Sequence, residues 1–237
     1  MRHFLKPISM SLILSLAYFA QATAQDSGNR YFGKESITFA TEAKAYQAAN
    51  DHKDAIKKLK KGLKLKGLSA YEISAMEQML GASYYASGKP DKAIESFEDA
   101  IAAGGLRADE VKGVQLNIAQ INIAAKNYAL GAQQLETYFR TGGPQKASLV
   151  KLAMTAHMRA GNRQAAVPWA DAMVRNGYAK TRLEHDTLLY LFDSPEKRAD
   201  QIRVAERMLG MWPGDAGLQT KVAGLKRKAD YEASGPG

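Results

Sequence analysis

The sequence predicts an all-α fold, an α-solenoid of about four to five helix pairs with a C-terminal capping helix. Apolar residues recur at three- and four-residue spacings, glycine and proline fall between these blocks, and no segment alternates as a strand does. Polar corners also recur, each followed by a small residue at Ala55, Ala93, Gly131 or Ala166. Their spacings of 38, 38 and 35 residues are typical of stacked helix pairs.

The first 24 residues are typical of a secretory signal peptide. Two basic residues precede an apolar run over residues 8–20, and an Ala-Thr-Ala triplet follows at residues 22–24. The run is shorter than the about 20 apolar residues that a membrane-spanning helix needs. We therefore expect cleavage before Gln25, export to the periplasm and no integral membrane span in the mature chain. The alternative is a buried N-terminal helix or an uncleaved anchor.

The composition is that of an ordinary globular protein, with 46% hydrophobic and 24% charged residues among 237. The chain has no cysteine, so an apolar core and not disulfides must stabilise it. Without the leader's Arg2 and Lys6, 31 Lys and Arg stand against 24 Asp and Glu, a net charge of +7. Such a surface attracts acidic proteins, anionic headgroups or wall polymers. For an exported protein we do not expect nucleic acid as a partner.

Beyond the leader, the chain divides into three predicted segments. Residues 25–35 are polar and predicted to be a flexible mature N-terminus, residues 36–233 form the solenoid, and residues 234–237 form a disordered tail. The Ala-rich helical runs within the solenoid favour helix because alanine loses no side-chain entropy there.

The C-terminal third is predicted to hold a fifth helix pair from Thr181 to Pro213. A final helix from Asp215 to about Ala233 carries charge on most of its surface, as a terminal cap should. Within the fifth pair, Ser194 is predicted to cap a helix whose first position is Pro195.

The second helix pair resembles the tetratricopeptide repeat. Six of that repeat's positions are matched at the expected offsets, by Leu80, Gly81, Tyr84, Ala93, Phe97 and Ala100. Gly81 and Ala93 are small so that the two helices of one pair can approach closely, and the larger residues fill the space against the next pair. The other pairs match more loosely, with Asn122 where an aromatic residue is usual.

Gly88-Lys89 has some likeness to a phosphate-binding loop, but its context argues against one. Such a loop needs a glycine five positions before the Gly-Lys pair and a serine or threonine after it, between a strand and a helix. Ser83 and Pro90 stand at these two positions, and both flanks are predicted to be helical. We therefore predict that Gly88 ends one helix and Pro90 begins the next.

No constellation of residues indicates catalysis. The histidines of the mature chain, His52, His157 and His185, do not occur at metal-ligand spacings, and no Gly-x-Ser-x-Gly elbow is present. We assign each histidine a structural role. The sequence therefore predicts a protein that is not an enzyme and that has no cofactor and no metal site.

The first helices of repeat scaffolds line a concave surface, so the helical phase predicts which side chains face a partner. This set is mildly basic, amphipathic and rich in hydrogen-bonding groups, which suits an extended protein segment. It comprises Lys44, Gln47, Gln78, Tyr85, Gln120, Ile123, Lys151, Thr155, Met158 and Arg159. The alternative is that these residues are only the exposed side of ordinary helices.

A lysine-rich helix forms a second candidate surface, which we call the basic patch. It comprises Lys57, Lys58, Lys60, Lys61, Lys64 and Lys66. Apolar residues at three- and four-residue spacings place one stripe of this helix in the core and the lysines toward water. The patch is either a solubilising face or a docking site for an acidic partner or an anionic surface.

Three short features narrow the resemblance. They are the pair Tyr71-Glu72, the Asn117 helix before an aromatic corner at Tyr128, and the step Ala-Val-Pro-Trp at residues 166–169. Together they are similar to the periplasmic tetratricopeptide proteins that accompany TonB systems in proteobacteria. The resemblance spans residues 71–212, and it departs after Tyr178, where that group carries a tryptophan-rich stretch. It implies a non-catalytic accessory of a complex of the TonB, ExbB and ExbD type.

Two other functions remain open. The protein could be an assembly chaperone or adaptor for envelope proteins, or a wall-binding accessory that uses the basic patch. All three hypotheses name a protein or polymer partner, and none fixes an oligomeric state.

Overall fold

The computed structural model describes residues 30–234, and all regular structure in this range is helical. The residues divide into two compact units, the N-terminal unit at 30–143 and the C-terminal unit at 144–234. The N-terminal unit contains α1 (Ser36–Ala48), α2 (His52–Gly62), α3 (Ala70–Ala86), α4 (Pro90–Ala102), α5 (Ala108–Ala124) and α6 (Tyr128–Arg140). The C-terminal unit contains α7 (Ala147–Arg159), α8 (Arg163–Arg175), α9 (Arg182–Leu191), α10 (Arg198–Met211) and α11 (Ala216–Ser234). The prediction of five helix pairs and a final helix is confirmed.

Among the described residues, the first helix begins at Ser36 and the last ends at Ser234. The predicted leader at residues 1–24 and the last three residues of the predicted tail lie outside the described range. Among residues 30–234, no helix has both the length and the apolar character to cross a membrane.

The same corner joins the two helices in each of the first four pairs. A residue in the left-handed backbone region follows each first helix, at Asn50, Gly88, Lys126 and Gly161. The next residue then donates its amide to the carbonyl five residues earlier, as Lys89 does to Tyr84 at 2.9 Å. These bonds satisfy carbonyl groups that the end of a helix would otherwise leave without partners. The recurring polar corner of the sequence is therefore a repeated helix stop.

The two helices of a pair approach each other closely where a glycine without a side chain lies at their contact. A Cβ atom on Gly81 would lie 3.0 Å from Cδ1 of Phe97 and 3.1 Å from the carbonyl oxygen of Ala93. The predicted contact between Gly81 and Ala93 is thus confirmed. The third pair repeats it, because a Cβ atom on Gly131 would lie 2.4 Å from Cγ1 of Ile123.

The core of the N-terminal unit is built from residues that the repeat pattern predicts. Leu80, Tyr84 and Phe97 are all buried and belong to one apolar cluster, to which α1, α2 and α5 also contribute. Full burial of a side chain such as Phe97 stabilises the fold by about 1.5 to 3 kcal/mol. No pair could bury this face alone, so neighbouring pairs stabilise one another.

The core of the C-terminal unit lies among α8, α9 and α10. Met173, Leu188, Phe192 and Met208 are fully buried there. Helix α11 buries Leu218 and Val222 and leaves most of its surface exposed, as predicted for a terminal cap.

The predicted start of the second helix of the fifth pair is wrong. Residues Pro195–Lys197 form one turn of 3-10 helix, α10 begins only at Arg198, and the Ser194 side chain caps no backbone amide. Arg198 is buried and pairs with Asp193 at 3.0 Å and with Glu232 of α11 at 3.1 Å. The short turn places Arg198 where it can make these bonds.

The segment before α1 is bound to the N-terminal unit, which differs from its predicted flexibility. Arg30 donates to both carboxylate oxygens of Glu110, at 2.6 and 2.7 Å, and to the carbonyl of Gly105 at 3.1 Å. Its guanidinium also lies 4.8 Å from the ring centre of Tyr71, which packs edge-on against Phe32. For residues 25–29, which are outside the described range, flexibility stays a prediction.

Candidate protein-binding surface

In the N-terminal unit, the predicted surface residues have different environments. Lys44 is exposed, whereas Gln47, Gln78 and Gln120 are half-buried. The Gln47 amide donates to the carbonyl of Met79 at 2.8 Å and to the hydroxyl of Ser83 at 2.7 Å, so it joins α1 to α3. Gln47 therefore fixes the packing of two first helices, and a partner would find its donor atoms already engaged.

Tyr85 combines a fixed ring with an available hydroxyl. The ring is half-buried and packs against the core cluster of the N-terminal unit. Burial raises the pKa of the phenol further above its ordinary value, which already lies well above neutral pH, and the hydroxyl is a hydrogen-bond donor there. No hydrogen bond to this hydroxyl occurs within residues 30–234. A rigid aromatic ring with an unused polar end is typical of residues that anchor a partner.

Ile123 does not belong to an exposed surface, in contrast to the prediction. Its side chain is only 6% exposed. The missing side chain at Gly131 lets α6 approach α5 so closely that Ile123 fills the space between them. Beside it, buried Asn122 donates to Gln134 at 3.0 Å and accepts from Asn127 at 3.2 Å. Asn122 thus replaces the usual aromatic residue with a polar link between the helices of one pair.

In the C-terminal unit, four predicted surface residues lie on α7. Lys151 is exposed and forms an ion pair with Glu184 of α9, whereas Thr155, Met158 and Arg159 are half-buried. Glu184 also accepts from the backbone amides of Lys180 and Thr181. Burial alone would raise the pKa of Glu184, but these bonds outweigh it and lower the pKa to about 2. Glu184 is therefore ionised at neutral pH and holds Lys151 in place.

The basic patch is mostly free for contact. Lys57, Lys60, Lys61, Lys64 and Lys66 are exposed. Lys58 is half-buried and forms an ion pair with Glu42 of α1, and the hydrogen bond to Glu42 raises the pKa of Lys58. Helix α2 ends at Gly62, so the patch continues beyond the helix into the following turn. Lys58 therefore serves the packing of the first pair, and the other lysines are the candidate contact residues.

Two glutamates of α3 have shifted pKa values that helical periodicity does not predict. Buried Glu72 accepts bonds from the Ser36 hydroxyl, from the Gly33 amide at 2.9 Å and from Ser69 at 2.7 Å. Burial would raise its pKa, but these four hydrogen bonds lower the pKa to about 2. The Ser-x-x-Glu spacing at residues 69–72 could have revealed the Ser69 cap, but not the bonds from Gly33 and Ser36.

Glu77 is half-buried and has the opposite shift. Burial and the nearby charge of Asp99 raise its pKa to about 7, although a hydrogen bond from Ser96 partly offsets them. Glu77 lies on the face of α3 that is next to Ser96 and Asp99 of α4. The positive charge of Lys60 of α2 also acts on Glu77 and lowers its pKa. Helix spacing alone does not predict this environment.

The histidines occupy structural positions. His157 and His185 are buried, and His185 contacts the carbonyl of Thr181 through Nδ1 at 2.8 Å and the ring of Trp212 edge-on. Within residues 30–234, no three His, Asp or Glu side chains are arranged to hold a metal ion. The chemistry that this arrangement supports is non-covalent recognition through aromatic, amide and cationic side chains.

Comparison with known proteins identifies the fold from solved structures. No protein-family model matches the chain, and no curated protein matches it. A tetratricopeptide repeat protein from Parabacteroides merdae is 14% identical, with a TM-score of 0.57 over 81% of this chain and 73% of that one. The protein YrrB, described as a TPR protein with an unusual peptide-binding site, is 13% identical, with a TM-score of 0.55 over 79% and 91%. The TPR-like repeats of a putative kinesin light chain from Podosopora anserina are 18% identical, with a TM-score of 0.50 over 84% and 99%. Such low identities show the fold alone.

Proposed function

We propose that this chain, which has the tetratricopeptide-repeat fold, is a non-catalytic scaffold whose first helices, in each unit, bind extended segments of a partner protein. The observation that carries the proposal is the state of Tyr85 in the N-terminal unit, whose ring is fixed by the core while its hydroxyl has no partner within the described residues. Arg159 of α7 is the anchor candidate of the C-terminal unit, because tyrosine and arginine dominate binding energies at interfaces. The peptide site attributed to YrrB supports the same mode of binding here.

We further propose that the protein acts in the periplasm as an accessory of a TonB-type transport system. The signal-like residues 1–24 support export. The features at residues 71–72, 117–128 and 166–169 support the TonB, ExbB and ExbD type of partner through their resemblance to that group. A chaperone or adaptor for envelope assembly would use the same first-helix residues with a different partner.

The exposed lysines of the basic patch favour one alternative. Five of them face solvent, so α2 could itself hold an acidic partner or an anionic wall polymer. In the scaffold hypothesis these charges steer a partner toward the surface, and they affect the association rate and its salt dependence more than the dissociation rate.

The experiment is a partner-binding measurement by surface plasmon resonance, with a partner first captured from crosslinked cell envelope and purified. Arg159→Ala is expected to weaken binding by roughly thirtyfold, as loss of an anchor worth about 2 kcal/mol would. Tyr85→Phe keeps the buried ring and removes only the hydroxyl, so it is expected to weaken binding by about tenfold. Neutralising Lys57, Lys60 and Lys61 is expected mainly to slow association.

The matched controls lie on exposed positions of α11. Arg227→Ala and Tyr231→Phe remove the same groups outside the predicted surface and are expected to bind as the wild type does. Thermal melting of each variant separates lost contacts from lost folding. If Tyr85→Phe and Arg159→Ala bind normally while the lysine variant loses all binding, the basic patch is the site and the first-helix proposal is wrong.

A further inference from the structure

A cavity of about 430 Å³ opens in the C-terminal unit between α8 and α10, the second helices of their pairs. Pro168, Asp171, Val174 and Arg175 line it from α8, at spacings that place them on one helix face. A second cavity of about 80 Å³ shares Val174 and Arg203 with the first and extends the cleft to Arg207. None of these residues belongs to the predicted first-helix surface.

The cleft has apolar surface among charged side chains, and its shape is built into the fold. Phe192, directly after α9, is fully buried beneath the larger cavity and supports its floor. Pro168 lies inside α8, where it cannot donate a backbone hydrogen bond, and Pro168 and Val174 add apolar surface. A cleft of a few hundred Å³ with apolar surface and a few charged groups is large enough to hold ligand side chains.

The acidic side chains of the cleft are already neutralised within the chain. Lys197 bonds to Asp171 at 2.7 Å and to Asp200 at 3.3 Å, and Arg203 bonds to Asp200 at 2.7 Å. The bond between Lys197 and Asp171 also ties α8 to the turn directly before α10, and Nζ of Lys197 lies 5.7 Å from the ring centre of Phe192. The walls are therefore held in place without a ligand.

The remaining charge of the cleft is positive. Arg175 lines only the larger cavity and Arg207 only the smaller one; both are exposed, and neither forms an ion pair within residues 30–234. Guanidinium groups bind carboxylates through two parallel hydrogen bonds and lose less hydration than ammonium groups on doing so. The apolar surface of Pro168 and Val174, together with two unpaired arginines, is complementary to an apolar side chain between carboxylates.

We propose that this cleft binds an acidic peptide segment of a partner protein, with an aliphatic or aromatic side chain against Pro168 and Val174 and flanking carboxylates on Arg175 and Arg207. The inference rests on the proposed function as a protein-binding scaffold and adds a second site on second helices. The cleft also indicates the chemistry of the bound segment, whereas the first-helix residues do not indicate it.

The test is fluorescence anisotropy of the full mature chain with a labelled hexapeptide that carries Leu-Trp between two pairs of glutamates. Two matched peptides replace Leu-Trp by Ser-Ser or all glutamates by glutamines, and both are expected to bind at least about tenfold more weakly. Arg175→Ala and Arg207→Ala are each expected to weaken binding by about tenfold, and Val174→Trp, which fills the cavity, is expected to abolish it. Arg227→Ala, on exposed α11 outside the cleft, is the control and is expected to have no effect.

The inference is overturned if the acidic Leu-Trp peptide does not bind, or if the arginine variants bind it as the control does. Equal binding of the Ser-Ser peptide would show attraction by charge alone and would also overturn it. The partner assay with Tyr85→Phe and Arg159→Ala judges the proposed function separately. A failed peptide together with partner binding that depends on Tyr85 therefore rejects the cleft and leaves the scaffold function standing.

Discussion

Glu72 and Glu77 lie five residues apart on α3, yet their pKa values are about 2 and about 7. The difference comes from their partners. Glu72 is surrounded by donors from Gly33, Ser36 and Ser69, which stabilise its charge, whereas Glu77 is partly desolvated beside the like charge of Asp99. The two residues therefore link stability to pH in opposite directions.

We expect Glu72→Gln to destabilise the protein by about 3 kcal/mol at pH 7, because the folded state lowers the pKa of Glu72 and so favours its charge. This contribution is present above the unfolded pKa near 4.5 and is lost as the pH falls toward 2. Urea denaturation at pH 7 and pH 3 measures it, and the gap to the wild type should narrow at pH 3. Exposed Glu98→Gln is the control, and an equal effect of the two variants would contradict the assigned role.

We expect Glu77→Gln to stabilise the protein at pH 8 by about 1 to 2 kcal/mol, a figure that allows for solvent screening. The folded pKa of Glu77 is raised, so its contribution to stability is present below pH 4.5 and is lost as the pH rises through about 7. The wild type and the variant should therefore unfold alike at pH 4 and diverge by pH 8. Equal stability of the two at pH 8 would show that Glu77 ionises as freely as an exposed carboxylate.

At the scale of the element, the recurring corner explains how one sequence signal yields four similar helix pairs. The left-handed residue ends each first helix, and the next residue bonds back over its last turn. Glycine takes this conformation freely at positions 88 and 161, whereas Asn50 and Lys126 adopt it at a cost. Asparagine is the more tolerant of the two, so Lys126 is the strained corner.

We expect Lys126→Gly to raise the stability by about 0.5 to 1 kcal/mol, because glycine relieves the strain of the left-handed backbone. The greater freedom of glycine in the unfolded chain offsets part of this gain. Lys126→Ala keeps the strain and removes the same charge, so it is the control and should leave stability nearly unchanged. Gly88→Ala should have the opposite sign, although no atom lies within 4 Å of the added Cβ. Chemical denaturation of the three variants measures these effects, and a stabilised Lys126→Ala would point to the lysine charge instead.

At the scale of the whole molecule, the sequence predicts what its local repeats determine. The five pairs, the corners and the contact of Gly81 with Ala93 follow from residues close together in the chain. Solved tetratricopeptide-repeat structures share the fold. Helical periodicity predicts an exposed Ile123 only if the distance between the two helices is the same in every pair. The missing side chain at Gly131 narrows the third pair, and Ile123 is buried as a result.

Features that depend on distant residues were not predictable in this way. Glu72 takes donors from residues 33 and 36, and the start of α10 is set by the bonds of Arg198 with Glu232, 34 residues away. The cleft between α8 and α10 likewise depends on how two helices with no shared sequence signal are placed. Side-chain phase within a helix is therefore predictable, whereas side-chain partners between helices require the structure.

The attachment of Arg30 to Glu110 also sets an order of events during folding. The two residues are 80 positions apart, so their bond closes a much longer loop than any contact within a helix pair and loses more chain entropy. The first two helix pairs end at Ala102 and pack through local contacts, so we expect them to form before this loop closes. The N-terminal segment is thus expected to be among the last parts of its unit to become ordered.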